Sequence, residues 1–262
     1  MPDSSLLWEI IPPQGRSSWL FGTMHVKDQR IHRVSHQLHA LIDGSDHYIG
    51  EMDLSERSAP QDMPVYRARD FLAEKKYGKI RHQLLKSFAV DLDHYQHLHP
   101  LLIISIISSS VLQSEHLTLL DEHLWEYAEE KGLIMSGLES YDEQFSILHS
   151  IDPGVLYKQI EALSRQPWKI RKNALKTLRF YAKGDIHSLY THSKSSMRGL
   201  RKHVIHDRNK KMSSVITQLD TSLQYFISVG AGHLSGKYGL ITLLRRSGWK
   251  VIPSSLISLS EE

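Results

Sequence analysis

The 262-residue chain contains no cysteine. That excludes a disulfide, a zinc ribbon and a thiol nucleophile; it is compatible with the cytosol and does not exclude the periplasm. Long hydrophobic runs are also missing. The longest, residues 100–111, is interrupted by serines and is too short to span a bilayer, so no stable membrane insertion is expected. Charge of one sign is not in excess: the net charge is +3 and no basic stripe dominates the sequence, which argues against a nucleic-acid partner. No basic segment leads into an apolar one at the start of the chain. No signal peptide is therefore expected, and the location is cytoplasmic, or exported if an N-terminal signal has been removed. H-E-x-x-H, the Walker A loop, G-x-S-x-G and G-x-G-x-x-G are all absent. These are the commonest signatures of metalloproteases, nucleotide binders and serine hydrolases. No repeat of solenoid length appears.

What is present reads as a globular α/β chain. Hydrophobic residues make up 40% and charged residues 23%, which is ordinary for a packed core. Leu6–Ile11 and Ser17–Phe21 flank a Pro/Gly-rich turn and predict a hairpin. Val34, Leu38, Leu41 and Ile42 have helical spacing, and His47–Gly50 is a short buried strand. From about residue 59 to 222 the pattern is helical apart from one strand at Leu133–Leu138. Asp152 is placed to cap a helix with Pro153 at its first position, and residues 199–219 read as one long polar helix. The end of the chain reads as a strand, a helix over 236–246 and a strand over 249–252, a crossover whose two strands should run parallel. The expected architecture is a mixed, largely parallel sheet with a large helical insertion, in one domain over 1–262. Its α/β core covers about 5–58, 132–140 and 222–254, and the insertion about 59–131 and 141–221.

Two short motifs stand out, each closing an apolar run. Trp19-Leu20-Phe21 leads into Gly22-Thr23-Met24-His25, and Phe226-Ile227-Ser228-Val229 into Gly230-Ala231-Gly232-His233. Two further apolar runs end in acids, at Glu51-Met52-Asp53 and at Glu139. If these four strands are parallel, their C-terminal ends share the edge at which open α/β sheets place ligands. Two histidines and two or three carboxylates would then converge. With seventeen histidines in the chain, a lone histidine carries little weight, and His94, His97 and His99 are discounted as a metal cluster because no glycine turn orients them. Gly22, Gly230 and Gly232 would let the chain turn sharply off a strand and let a ligand approach the backbone. Arg208, followed by Asn209 on the long helix, has the planar fork of an oxyanion or carboxylate clamp.

These residues together resemble the TraB/GumN/PrgY family, related to the Tiki metalloproteases. The likeness starts at Leu7-Trp8-Glu9-Ile10 and Gly22-Thr23-Met24-His25 and passes through Glu51-Met52-Asp53-Leu54, Leu120-Asp121-Glu122-His123-Leu124 and Gly137-Leu138-Glu139-Ser140. It continues with Asp207-Arg208-Asn209 and ends on Gly230-Ala231-Gly232-His233 and Gly248-Trp249-Lys250-Val251. The resemblance implies a fold like that of the erythromycin-esterase/ChaN group (EreA/ChaN-like), an active site at His25, His233 and Glu51, and manganese- or cobalt-dependent peptidase activity.

Three readings follow. In the first, a metal-dependent hydrolase, His25 and His233 ligate a divalent ion, with Glu139 or Asp53 completing or orienting the shell. Imidazole and carboxylate suit Mn²⁺ or Co²⁺, with Zn²⁺ as a further option. Glu51 then acts as base, and Arg208 steadies an oxyanion or a substrate carboxylate; Asn209 supports the shell. In the second, no metal is needed: a histidine activates a water held by Glu51. In the third, the pocket only binds a peptide or small ligand. The partner in each case is a peptide or a small molecule, and the oligomeric state is left open.

Overall fold

The computed structural model describes residues 4–28, 34–55, 65–112, 118–196 and 201–255. Their described parts gather into two compact units. One lies within 1–57, 114–141 and 177–262, the other within 58–113 and 142–176. The helical unit is narrower than the expected insertion, because residues 114–131 and 177–221 group with the sheet.

The first unit is built on six strands: β1 (Leu7–Ile11), β2 (Ser18–Thr23), β3 (His47–Met52), β4 (Ile134–Glu139), β5 (Tyr225–Gly230) and β6 (Lys250–Ser254). Their order is β4-β3-β5-β2-β1-β6. The β4, β3, β5 and β2 neighbours pair in parallel, while β1 runs antiparallel to both β2 and β6. The mixed, largely parallel sheet is therefore as expected, and the crossover from β5 leads to a strand of the same direction. The C-terminal ends of β2, β3, β4 and β5 share one edge.

Near-continuous apolar runs explain why the sheet is buried on both sides. Leu20, Ile49 and Ile227 stand level in adjacent strands on one face. On the other, Tyr48 stacks on Phe226 and meets Trp125 of the helix Leu120–Glu130 edge-on. Tyr48 and Ser228 share a buried 2.7 Å hydrogen bond. The close approach is possible because Gly50 has no side chain: a Cβ there would sit 3.0 Å from the Trp125 ring. Gly137, level with Gly50 in β4, is equally constrained, since a Cβ would collide with the backbone N of Asp53.

The helices, in chain order, are α1 (Ser35–Asp43), α2 (Ala68–Phe71), α3 (Glu74–Phe88), α4 (Pro100–Ser109), α5 (Leu120–Glu130), α6 (Tyr141–His149), α7 (Pro153–Ser164), α8 (Pro167–Ala182), α9 (Ile186–Ser196), α10 (Arg208–Thr217) and α11 (Leu240–Arg246). Asp152 caps α7 by accepting from Gly154 N at 2.9 Å, as its position before Pro153 predicts. The core of the second unit joins Tyr77, Ile80, Leu84 and Phe88 of α3 with Ile103 and Ile107 of α4 and Tyr157 and Ile160 of α7. His99 belongs to this packing. It is 2% exposed, and its Nδ1 accepts from Leu101 N at the start of α4, a structural use for one of the three discounted histidines. Among the described residues no helix is long and apolar enough to cross a membrane.

The reading of 199–219 as one helix needs correction. Residues 197–200 lie outside the described residues, and Lys202–Asp207 form a wider π-helical turn before α10 begins at Arg208. Such turns insert a residue into a helical repeat and re-aim the side chains that follow; hydrophobic spacing in a polar helix carries no signal for them. Gly236, expected inside the last helix, instead lies outside α11 with φ +98°.

Candidate active site

The residues singled out at the strand ends all belong to the sheet unit. Glu51, one residue before the end of β3, accepts from Gly230 N at 2.7 Å and from Arg208 NH2 at 2.5 Å. Glu139 closes β4 and is held by the same guanidinium. Arg208 Nε lies 2.8 Å and NH2 2.5 Å from Glu139 Oε2. The side chains of Arg208, Glu51 and Glu139 are only 11%, 22% and 1% exposed. A carboxylate clamp was one reading of Arg208, and the carboxylates it grips are the protein's own.

His233, in the short turn after β5, brings its Nε2 to 3.7 Å from Glu51 Oε1 and 3.5 Å from Arg208 NH1. Its tautomer is set by Asn209. The Asn209 amide Nδ2 donates to two main-chain carbonyls, of His233 at 3.0 Å and Tyr238 at 2.6 Å. Since carbonyls only accept, the amide cannot be reversed, and Oδ1 must face His233 Nδ1, 2.5 Å away. Nδ1 therefore carries the proton and Nε2 keeps its lone pair, directed at Glu51 and Arg208. Burial pushes the His233 pKa down to about 4, so the ring is neutral across the physiological range. Burial acts to raise Glu51, but the His233 ring, the Arg208 guanidinium and the Gly230 N–H outweigh it and hold the carboxyl well below the usual carboxylate range.

A pH dependence of stability follows. His233 refuses, in the folded state, a proton that the unfolded chain takes below its ordinary value of 6.5. Its contribution is thus complete above pH 6.5 and lost as pH falls toward 4, by roughly 2–3 kcal/mol. Calorimetric melting across that window should show a steep acid decline in the wild type and a shallower one in His233→Gln. A flat wild-type profile would refute the buried neutral histidine.

His25 is placed differently. Its side chain is 60% exposed, and its Nδ1 lies 3.0 Å from Asp121 Oδ1 in the first turn of α5. The hydrogen bond and charge of the Asp121 carboxylate raise its pKa above the ordinary histidine value. Asp121 falls within the Leu120–Leu124 motif, and its acidic position at a helix start is the signal the sequence offers for it. Asp53 lies just past β3, where its Oδ1 accepts from Ser55 N at 2.9 Å and Ser55 Oγ at 2.6 Å. It is occupied with its own turn.

The glycines serve contact, with no left-handed backbone at Gly22, Gly230 or Gly232. A Cβ on Gly22 would come 2.6 Å from Leu234 Cδ1, and one on Gly230 would come 3.2 Å from Glu51 Oε2. Gly232 has no such neighbour. Tyr181 of α8 donates to Gly22 O at 2.8 Å and so secures the strand end before His25; nothing in the sequence marked it.

The side chains as arranged do not fit a divalent ion. Among the described residues no group of three or more histidines and acids is arranged to hold one. The permanently charged Arg208 occupies the position between Glu51 and Glu139 that a cation would take, and Asp53 is engaged elsewhere.

The TraB/PrgY/gumN family matches the chain over residues 6–253. Among curated proteins the chain is similar to a Danio rerio protein named Metalloprotease TIKI1, with 21% identity over 204 residues, covering 66% of this chain and 41% of that protein. It is similar also to an Amphimedon queenslandica protein named Metalloprotease TIKI homolog, with 23% identity over 341 residues, covering 98% of this chain and 66% of that protein. The chain thus spans less than two thirds of the length of either relative. No solved structure matches it.

Proposed function

As a chain that belongs to the TraB/PrgY/gumN family, this protein is, we propose, a hydrolase of peptide or ester bonds. The relatives' names suggest a hydrolase and a divalent metal. The observation that carries the reading is the unprotonated His233 Nε2, 3.7 Å from the Glu51 carboxylate at the sheet edge. A water between these two groups is oriented by Glu51 and loses its proton to Nε2 as it attacks a carbonyl carbon. The Glu51 charge then stabilises the imidazolium that forms. Arg208 NH1, 3.5 Å from the same nitrogen, supplies positive charge toward the developing oxyanion. His25, ion-paired with Asp121 beyond the neighbouring strand, is the group able to return a proton to the leaving group.

A second reading, the metal-dependent peptidase, is favoured by the relatives' names and by His233, whose Nε2 is in the form a ligand requires. A screen of fluorogenic peptides and esters tests both. The geometry predicts hydrolysis that survives EDTA and disappears in His233→Ala. Hydrolysis that EDTA abolishes and Mn²⁺ or Co²⁺ restores would replace the metal-free mechanism with the metal one. Ligand binding without turnover in wild type and His233→Ala alike would leave a binding protein.

A further inference from the structure

We propose that the outward face of α8 docks the protein on an anionic lipid surface. The helix rests on the protein through Ile170, Leu178 and Tyr181, all buried. Two large apolar side chains remain on its solvent side, Trp168 at 59% and Leu175 at 51% exposure. They are seven residues apart, so they stand on nearly the same side, about 10 Å apart along the axis. Lys169, Lys172 and Arg179 are exposed on the same helix, and Lys169 Nζ lies 5.7 Å from the Trp168 ring centre. Arg171 is exposed as well, although its NH2 donates to Ser87 O at 2.8 Å.

The charge here is concentrated. Residues 162–184 contain seven Lys and Arg and no Asp or Glu, a net +7. The whole chain carries +3, so the remainder is net −4 (3 less 7). The cations are already clustered in the sequence, and helical winding sets Lys172 and Arg179 on the side of the two projecting apolar groups.

The combination selects lipid over other polyanions. A phosphodiester backbone satisfies lysines and arginines but offers an aliphatic Leu175 nothing. The interfacial zone of a bilayer accepts Trp and Leu among acyl carbons while the surrounding cations meet headgroup phosphates. Because the inner face of α8 is already committed to the protein core, the attachment is peripheral and leaves the fold intact. It agrees with the absence, among described residues, of a helix able to cross a membrane.

Co-sedimentation of the full chain with vesicles tests this. The expected result is binding to phosphatidylcholine–phosphatidylglycerol vesicles, weakened by salt, and none to phosphatidylcholine alone. Each basic residue near such a surface is worth roughly a fivefold gain. Lys169→Glu/Lys172→Glu/Arg179→Glu should therefore lower affinity by a hundredfold or more. Trp168→Ala/Leu175→Ala should also weaken binding at high salt, where the apolar contribution dominates. All five positions are exposed, and unchanged melting curves would show that the variants fold. Equal binding to both vesicle types, or insensitivity to charge reversal, would overturn the proposal. So would duplex DNA binding that is lost on charge reversal while Trp168→Ala/Leu175→Ala leaves vesicle binding untouched.

Discussion

Replacing Arg208 with methionine should lower the stability of the protein by about 3–5 kcal/mol, the usual effect of removing one member of a buried ion pair. The guanidinium is shared by two carboxylates, and Glu139 is 1% exposed. Methionine fills much of the volume but leaves both acids without their cation, and neither can recover solvation where it stands. Urea denaturation reads the loss directly. Adding Glu139→Gln to the methionine variant should restore part of it, since the most buried uncompensated charge is then gone. The surface pair of Arg16 and Asp46 is the control. Its side chains are 49% and 39% exposed, and Arg16→Met should cost no more than about 1 kcal/mol. If Arg208→Met were as mild as Arg16→Met, the central role of the guanidinium in the site would be wrong.

Glu51→Gln should reduce turnover by about 10²–10³-fold with little change in substrate affinity. The amide is nearly the same size, but only its oxygen can accept, so it keeps one of the two donors, Gly230 N or Arg208, and it lacks the charge that orients the water and stabilises the His233 imidazolium. The loss therefore belongs to kcat. A variant in which KM rose while kcat held would show Glu51 to be a substrate-binding group and remove it from the chemistry. Stability is a second readout: the variant releases one partner of Arg208, but Glu139 remains, so its loss should be smaller than that of Arg208→Met.

Much of this was legible in the sequence because the sheet is parallel and buried. Apolar runs ending in Gly-x-x-His or in an acid mark strand ends, and a parallel sheet brings such ends together whatever their separation in the chain. That placed Glu51, Glu139 and His233 in one cluster. The hairpin, the Asp152 cap and the final crossover were equally clear, since each rests on local turn chemistry. What escaped depends on which way a side chain turns once the backbone is set. Asp53 bends onto Ser55, and His25 pairs with Asp121. The π-helical turn before Arg208 leaves no trace in hydrophobic spacing. Tyr181 supports a strand end from a helix 159 residues further along the chain, a contact no local pattern encodes. The face that α8 forms with Trp168 and Leu175 emerges only when the helix is wound and its inner side is assigned to the core.

The register of β2 against β5 has a kinetic meaning. Trp19 pairs with Phe226 and Thr23 with Gly230, so two neighbouring strands join segments about 207 residues apart in the chain. Parallel pairing of this span carries a large loop-closure entropy and forms late compared with the helices. The pairing of β5 with β3 in turn carries His233 to Glu51. Recovery of the proposed activity after dilution from denaturant would thus report the late docking of β5, well after circular dichroism has registered the helices, and a fragment ending before residue 233 would lack the proposed base.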